Sequence, residues 1–433
     1  MLRPLFGWMT GILAAALLAA SLAGCGGSSS TSSTTPPPCG TCPANPFPPA
    51  VEQALQAKTP VDPAIVTADN TFGLSLLDTL MQEGASSTGN IAIAPLSVSM
   101  SLQITYNGAA GTTQQAMAQT LQLGTLTTEQ LNEDNAALQA ALDSLDLQVE
   151  ITIANSLWMN SNSSVAAPFM QINQYYYRAM LATGSLNADA VNQWVSGATN
   201  GLINDILPAG DYSHDVAIIA NAVYFKGLWQ YPFQANQTTA QTFTLGDSTQ
   251  TTVQMMHLQY TFPYLQGSGF QAIRLPYGQG RLSMLVVLPT AGTDINTFVS
   301  GITATAIDSW ENQLQNAYVG VAMPRFSTNF SAPSLKSALT AMGMGVAFSP
   351  NDADFSGIAP LTFINLVAHA TVVEVNENGT VAAGATVVGV GDTAVGVGPP
   401  FAITMDHPFF YAIRDDQTGE LLFVGILANP NGG

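Results

Sequence analysis

Apolar positions along the chain change their period part-way, and the change separates a helical region from a stranded one. Asp62-Pro63 offers an N-cap and a first-turn proline, after which Ile65, Ala68, Phe72, Leu76 and Leu80 recur at helical spacing. Thr112 with Gln115 and Thr127 with Gln130 read as two capping boxes, the second leading a stripe of Leu131, Leu138, Leu142 and Leu145. From Leu147 the rhythm is two: Leu147, Val149, Ile151 and Ile153 alternate with polar residues, which predicts a strand with one wet face. Residues 216–225 and 282–288 are near-continuous apolar runs, the pattern of strands buried on both faces. A further helix is predicted over 188–206, and strands over 319–326, 365–375, 401–413 and 421–427. Helices concentrate early and strands late, so the expected class is α+β with large sheets.

The β-branched run 365–375 leads directly into an unusual stretch. Between Glu377 and Asp392 there is no charge and no large side chain, only Gly, Ala, Val, Thr and one Asn. Composition admits two readings: a mobile glycine-rich linker, or a segment able to become a strand. A strand entering the middle of a sheet leaves no room for charge or bulk on either face, and this segment has neither. If ~10 new ladder hydrogen bonds each contributed ~1 kcal/mol, insertion would yield on the order of 10 kcal/mol, comparable to the stability of a whole domain.

The N-terminal region has a different character. Residues 1–24 carry one charge, Arg3, and the apolar run 11–23, which describes a secretory signal too short to span a bilayer. Residues 25–60 are rich in Ser, Thr and Pro and cannot build a core, so they read as a tether of ~30 Å reach. Cys39 and Cys42 fall inside it after three prolines, without the strand and helix that a redox pair requires, and no cysteine follows. Residues 61–433 show no linker-like break before Asn378 and are expected to form one large unit.

Charge and motifs narrow the chemistry. Nine Lys and Arg against 28 Asp and Glu give a net charge of −19, which argues against nucleic acid and anionic lipid as partners. Nucleophile-elbow, zinc-protease, phosphate-loop and dinucleotide fingerprints do not occur. His214, His257, His369 and His407 are scattered without metal-ligand spacing, and Ser268, between Gly267 and Gly269, reads as a turn residue. No enzyme, cofactor or metal site is expected.

Several local patterns resemble those of one family, the serpins. The segment Asn-Ala-Val-Tyr-Phe-Lys-Gly-Leu-Trp from Asn221 to Trp229 is similar to that family's most specific internal signature, with Phe233 and Phe243 following. Asn90, Ala94 to Ser97, Gly108 to Thr112, Val191 to Val195 with Thr199, and Val253 to Met256 match further patterns in order. So do Leu275 to Tyr277, Met323 to Phe326, Ala353 to Gly357, His407 to Phe409 and Leu422 to Gly425. The Leu22-Ala23-Gly24-Cys25 ending of the signal resembles a bacterial lipobox, which implies lipidation of Cys25 and an extracytoplasmic, membrane-tethered or released protein.

The resemblance implies a large central sheet, further sheets, eight or nine helices and an exposed reactive loop at about 377–400. It implies a monomer that inhibits serine proteases: the protease cuts the loop, is held as a covalent acyl-enzyme, and the loop enters the central sheet. The hinge of inhibitory members corresponds here to Glu377, Gly379, Thr380, Ala382, Ala383, Gly384, Ala385 and Thr386, with uncharged Val381 where an acidic residue is usual. Counting from Glu377 puts the reactive bond between Thr393 and Ala394, within one or two residues. A small bait residue implies an elastase- or subtilisin-like target; Asp392 as bait would imply an acid-specific one. Ser97, Asn221 and His369 match a polar cluster that gates the opening of the sheet. Ala94 and Ala370 stand where the family has Ser and Lys, which implies a looser gate. The rival expectations are a non-inhibitory binding or scaffold serpin and, last, a hydrolase on the same fold.

Overall fold

The structure, a computed structural model, describes residues 61–145, 147–160, 164–380 and 399–432. Helix α1 (Pro63–Gln82) begins as its sequence dictates: Asp62 Oδ1 accepts from the Ala64 N–H at 2.9 Å and Pro63 fills the first turn. Gly84, at φ +65°, follows its end in the left-handed conformation. A short strand, β1 (Ile91–Ile93), leads to α2 (Pro95–Tyr106), every residue of which is buried, as befits a helix in the middle of a core. Helix α3 (Gly111–Thr120) corrects one expectation, because its N-cap is Ala110 and the Thr112–Gln115 pair forms no box. Tertiary contacts serve instead: Ala110 N–H donates to Asp354 O at 2.9 Å and Thr113 Oγ1 accepts from Asp354 N–H at 2.9 Å. Helix α4 (Thr128–Asp143) does carry its box, Thr127 and Gln130 each accepting from the other's backbone N–H.

Strand β2 (Val149–Asn160) starts beyond Leu147, which is exposed. Helix α5 (Ala167–Tyr176), strand β3 (Met180–Gly184) and helix α6 (Ala188–Ala198) follow. The helix predicted over 188–206 ends at Ala198, since Asn200 and Gly201 turn the chain at positive φ and Asn192 Oδ1 captures the N–H groups of Ile206 and Leu207. The strands β4 (Ala217–Leu228), β5 (Thr239–Thr244), β6 (Gln250–Gln266), β7 (Phe270–Pro276) and β8 (Leu282–Pro289) come next, with Ser268 in the turn between β6 and β7. Helices α7 (Ile295–Ser300) and α8 (Ala304–Gln313) precede β9 (Gln315–Pro324) and β10 (Phe326–Ala332), then a short α9 (Lys336–Leu339). The last strands are β11 (Leu366–Asn376), β12 (Gly379–Thr380), β13 (Phe401–Thr404), β14 (Phe409–Asp415) and β15 (Leu421–Leu427). The run predicted as one strand over 401–413 is thus two. Asp406 N–H turns back to Thr404 O at 3.0 Å, and Pro408, which has no N–H, closes the break.

Two sheets result. The larger runs β1-β15-β14-β8-β7-β6-β9-β13, with β5 added beside β6; the smaller runs β10-β11-β12-β4-β2-β3. Strand β4 of the smaller sheet is buried on both faces, which is why its sequence is a continuous apolar run. Ile218, Ala220 and Ala222 pack with α6, while Ile219, Val223 and Phe225 alternate into the main core that contains α2. The architecture is α+β, with nine α-helices among the described residues.

Candidate functional site

Strands β4 and β11 lie side by side and parallel, but only for part of their length. Leu366 to Thr371 pair with Ile218 to Val223 in register. Beyond that the strands part, and β12 fills the mouth between them: Thr380 pairs with Gly227 on one side and Val375 on the other, and Gly379 with Leu228 and Asn376. Among the described residues, no strand pairs with the facing edges of 224–226 and 372–374. Strand β12 is antiparallel to both walls, so the chain at Thr380 is directed into this parted stretch.

Each hinge residue among the described ones is held by a specific contact. Gly379 has φ +152°, and a Cβ there would lie 2.0 Å from Gly227 O and 2.8 Å from Leu228 Cα, so only glycine fits. Thr380 is fully buried, and its Oγ1 lies 2.7 Å from the Tyr277 hydroxyl. Burial pushes the Tyr277 hydroxyl far up, so it stays neutral, and the ring stacks on Trp229 with centroids 4.3 Å apart. Trp229 in turn fastens the approach, its Nε1–H donating to Asn376 O and its backbone N–H to Asn378 O, both at 2.9 Å. Arg325 Nε lies 2.8 Å from both oxygens of the Glu377 carboxylate, which also accepts from the Thr238 hydroxyl. Burial alone would raise the Glu377 carboxyl, but the bonds from Arg325 and Thr238 outweigh it and hold it below the ordinary value. A cleft of about 510 Å³ opens on this corner, lined by Arg325 to Ser327 and by residues 374–378.

Deeper in the sheet, Ser97, Asn221 and His369 do come together. Asn221 and His369 face each other across the β4–β11 pairing, with His369 Nδ1 and Asn221 Oδ1 2.7 Å apart. The Ala94 N–H donates to His369 Nε2 at 3.3 Å, which leaves the ring proton on Nδ1 to donate to Asn221. Asn221 Nδ2 donates to Ser97 Oγ, to Ser97 O at 3.1 Å and to Asn155 Oδ1 at 2.6 Å. The backbone of Ala94 therefore supplies a bond here, although its side chain cannot. Asn155 on β2 carries no role in the sequence reading; the available signal was a polar residue in phase with Ile151, Ile153 and Leu157. The contacts of Arg325, Trp229, Tyr277 and Thr238 with the hinge likewise have no local signature in the sequence.

The cluster is sensitive to protonation. Burial pushes the His369 imidazole down from 6.5 to about 3. A depressed value means that the folded state resists protonation: the contribution is complete above pH 6.5 and is lost as pH falls toward about 3. The stability advantage of wild type over His369→Gln should shrink by about 2 kcal/mol between pH 6.5 and about pH 5, measured by urea unfolding. An advantage that stays constant over this window would show that the ring is not buried neutral.

The remaining predicted residues divide simply. Glu377, Gly379 and Thr380 sit at the mouth of the sheet as described, whereas Ala382, Ala383, Gly384, Ala385, Thr386, the Thr393–Ala394 bond and Cys25 lie outside the described residues. Of the other histidines, His257 contacts Gln241, and His407 lies between Asp406 and Pro289 O. Among the described residues, no group of three or more His, Cys, Asp and Glu could hold a metal ion.

Comparison with known proteins agrees with this geometry. The profile described as Serpin (serine protease inhibitor) matches residues 67–430. Leukocyte elastase inhibitor A of Rattus norvegicus is 32% identical over 381 residues, covering 84% of this chain and 99% of its own. An uncharacterized serpin-like protein of Methanosarcina acetivorans is 29% identical, covering 84% of this chain and 86% of its own. Among solved structures, the native state of the thermophilic serpin Tengpin superposes with a TM-score of 0.78 at 26% identity, covering 86% of this chain and 95% of Tengpin. The parted sheet with a glycine-led strand at its mouth is thus carried by a chain that belongs to the serpin family.

Proposed function

We propose that this chain is an irreversible suicide-substrate inhibitor of serine proteases. The observation that carries the reading is the seating of Gly379 and Thr380 as a two-residue strand between β4 and β11, at the head of a stretch where, among the described residues, no strand pairs with the facing edges of the two walls. The sequence that follows, from Val381 to Gly391, is small and uncharged, so nothing in it opposes burial between two strands. The protease serine attacks the carbonyl of Thr393, the bond to the Ala394 nitrogen breaks, and the acyl-enzyme persists while the freed hinge enters the sheet. The inhibitory activity named for the elastase-inhibitor relatives supports a small bait residue, and the lack of Lys or Arg between Glu377 and Phe401 argues against trypsin-like targets. The lipobox-like ending at Cys25 and the tether to residue 60 support action outside the cytoplasm, close to a membrane.

Incubating the protein with elastase, subtilisin and trypsin tests the proposal directly. A complex that survives boiling in detergent should form with elastase or subtilisin and not with trypsin. Mass spectrometry should place the cut within two residues of Thr393. Cleavage by all three without any stable complex would favour a non-inhibitory binding protein instead.

A further inference from the structure

Behind α2 lies a second buried polar cluster, built from carboxyls. Asp69 on α1 is fully buried, and Glu420, in the turn before β15, is 1% exposed. The two segments are stapled together on either side of Glu420: Asn70 Nδ2 donates to Gly419 O at 2.9 Å, and Asn70 Oδ1 accepts from Leu421 N–H at 2.8 Å. Asp69 Oδ1 accepts from Ser99 Oγ and from Gln103 Nε2, both on α2. Asp69 Oδ2 and both oxygens of Glu420 have no hydrogen-bond partner. Burial without partners strongly disfavours an ionised carboxylate in such a place, and a second one on the adjoining segment disfavours it further.

The neighbours do not relieve this charge. From α2 come Ser99 and Gln103, and from α4 comes Asn135, which donates to Gln103 Oε1 at 2.6 Å; all are neutral. Tyr177, after α5, is buried and kept neutral, its hydroxyl pushed far up by burial. Asp415, at the end of β14, adds negative charge and already holds Arg281 through two bonds of 3.1 and 2.9 Å. Arg414, whose Nη2 lies close to Gly419, is committed to Glu311 at 2.9 Å.

We propose that Asp69 and Glu420 form a proton-binding pair that sets how firmly α2, and with it Ser97, is held against the central sheet. Protonated, the pair is a neutral part of the core; ionised, it drives α1 and the β14–β15 turn away from α2. Burial raises Asp69 to about 7 against the opposing bonds from Ser99 and Gln103. Burial first, then the charges of Asp69 and Asp415, raise Glu420 well above its ordinary value. With folded values above the unfolded ones, the stabilisation is complete below about pH 4 and is lost as pH rises through about 7. This slope opposes that of His369, so wild type alone would hide part of it.

The test uses the full chain as wild type, Glu420→Gln and Asp69→Asn, with melting temperature followed from about pH 5 to about pH 8.5. Glu420→Gln should gain about 5 °C on wild type across this range, and amide exchange in α2, corrected for intrinsic pH dependence, should rise about tenfold in wild type and by only a fewfold in the variant, where Asp69 still titrates. Infrared spectra of wild type near pH 6 should show a protonated carboxyl band that weakens in either variant, a measurement that stands even if one variant folds poorly. Parallel titration of all three proteins, or no such band, overturns the proposal. So does a calcium-dependent rise in the wild-type melting temperature at pH 8 that Glu420→Gln lacks, since the pair would then take a metal ion. None of these measurements requires a protease.

Discussion

Replacing Thr380 with Arg should abolish the detergent-resistant protease complex while leaving the reactive bond open to cleavage, so that cut inhibitor and active protease accumulate together. Thr380 has no exposed surface, and its hydroxyl is matched to that of Tyr277 at 2.7 Å. An arginine there would have to bury its charge against a tyrosine that stays neutral, at a cost of several kcal/mol. The uncut protein escapes that cost by withdrawing the two-residue strand, so its melting temperature should change little. The cut protein cannot escape it, because the position must pass through the mouth of the sheet before anything behind it can follow. Insertion then becomes slower than hydrolysis of the acyl-enzyme. Wild-type yields of complex from the Thr380→Arg protein would show that trapping does not depend on this entry.

Cutting the loop of the wild-type protein should raise its melting temperature by about 20 °C or more. The lower pairing of β4 with β11, from Ile218 to Val223 against Leu366 to Thr371, would be exchanged for a new strand bonded on both sides. The facing edges of 224–226 and 372–374, which pair with no strand among the described residues, would gain partners. About ten additional ladder bonds at about 1 kcal/mol each supply on the order of 10 kcal/mol, and a domain of this size gains roughly 2 °C for each. Scanning calorimetry before and after limited proteolysis measures the difference, and a cut protein that melts with the intact one removes the energetic basis of the mechanism. Repeating the experiment with Thr380→Arg should give a much smaller rise, which ties the two outcomes to one movement.

What could be read along the chain was whatever depends on neighbours in sequence. The Asp62 cap, the Thr127–Gln130 box and the apolar runs of β4, β8 and β15 encode their own structure through local bonding and period. The reading failed where a distant partner decides. Ala110 heads α3 because Asp354 reaches it from far along the chain, and α6 stops at Ala198 because Asn192 claims N–H groups beyond it. The region 401–413 looks uniform in hydropathy, yet β13 pairs with β9 while β14 pairs with β8 and β15, so the chain must break between them. The site shows the same division. Ser97, Asn221 and His369 were found together through resemblance, but Asn155 joins them only through its register opposite Asn221, and Arg325 meets Glu377 only through folding.

The parted stretch between β4 and β11 has a consequence for the protein in quantity. Two facing rows of backbone groups that pair with no strand among the described residues, parted at a mouth one strand wide, will accept any extended peptide of small residues, whichever molecule supplies it. Within one molecule the hinge has the advantage of being tethered at the entrance, but that advantage is an effective concentration and can be outcompeted. Crowding many copies together, or warming them until Trp229 and Arg325 release the hinge, should therefore link neighbours into chains, and a short synthetic peptide of the hinge sequence should suppress that linkage.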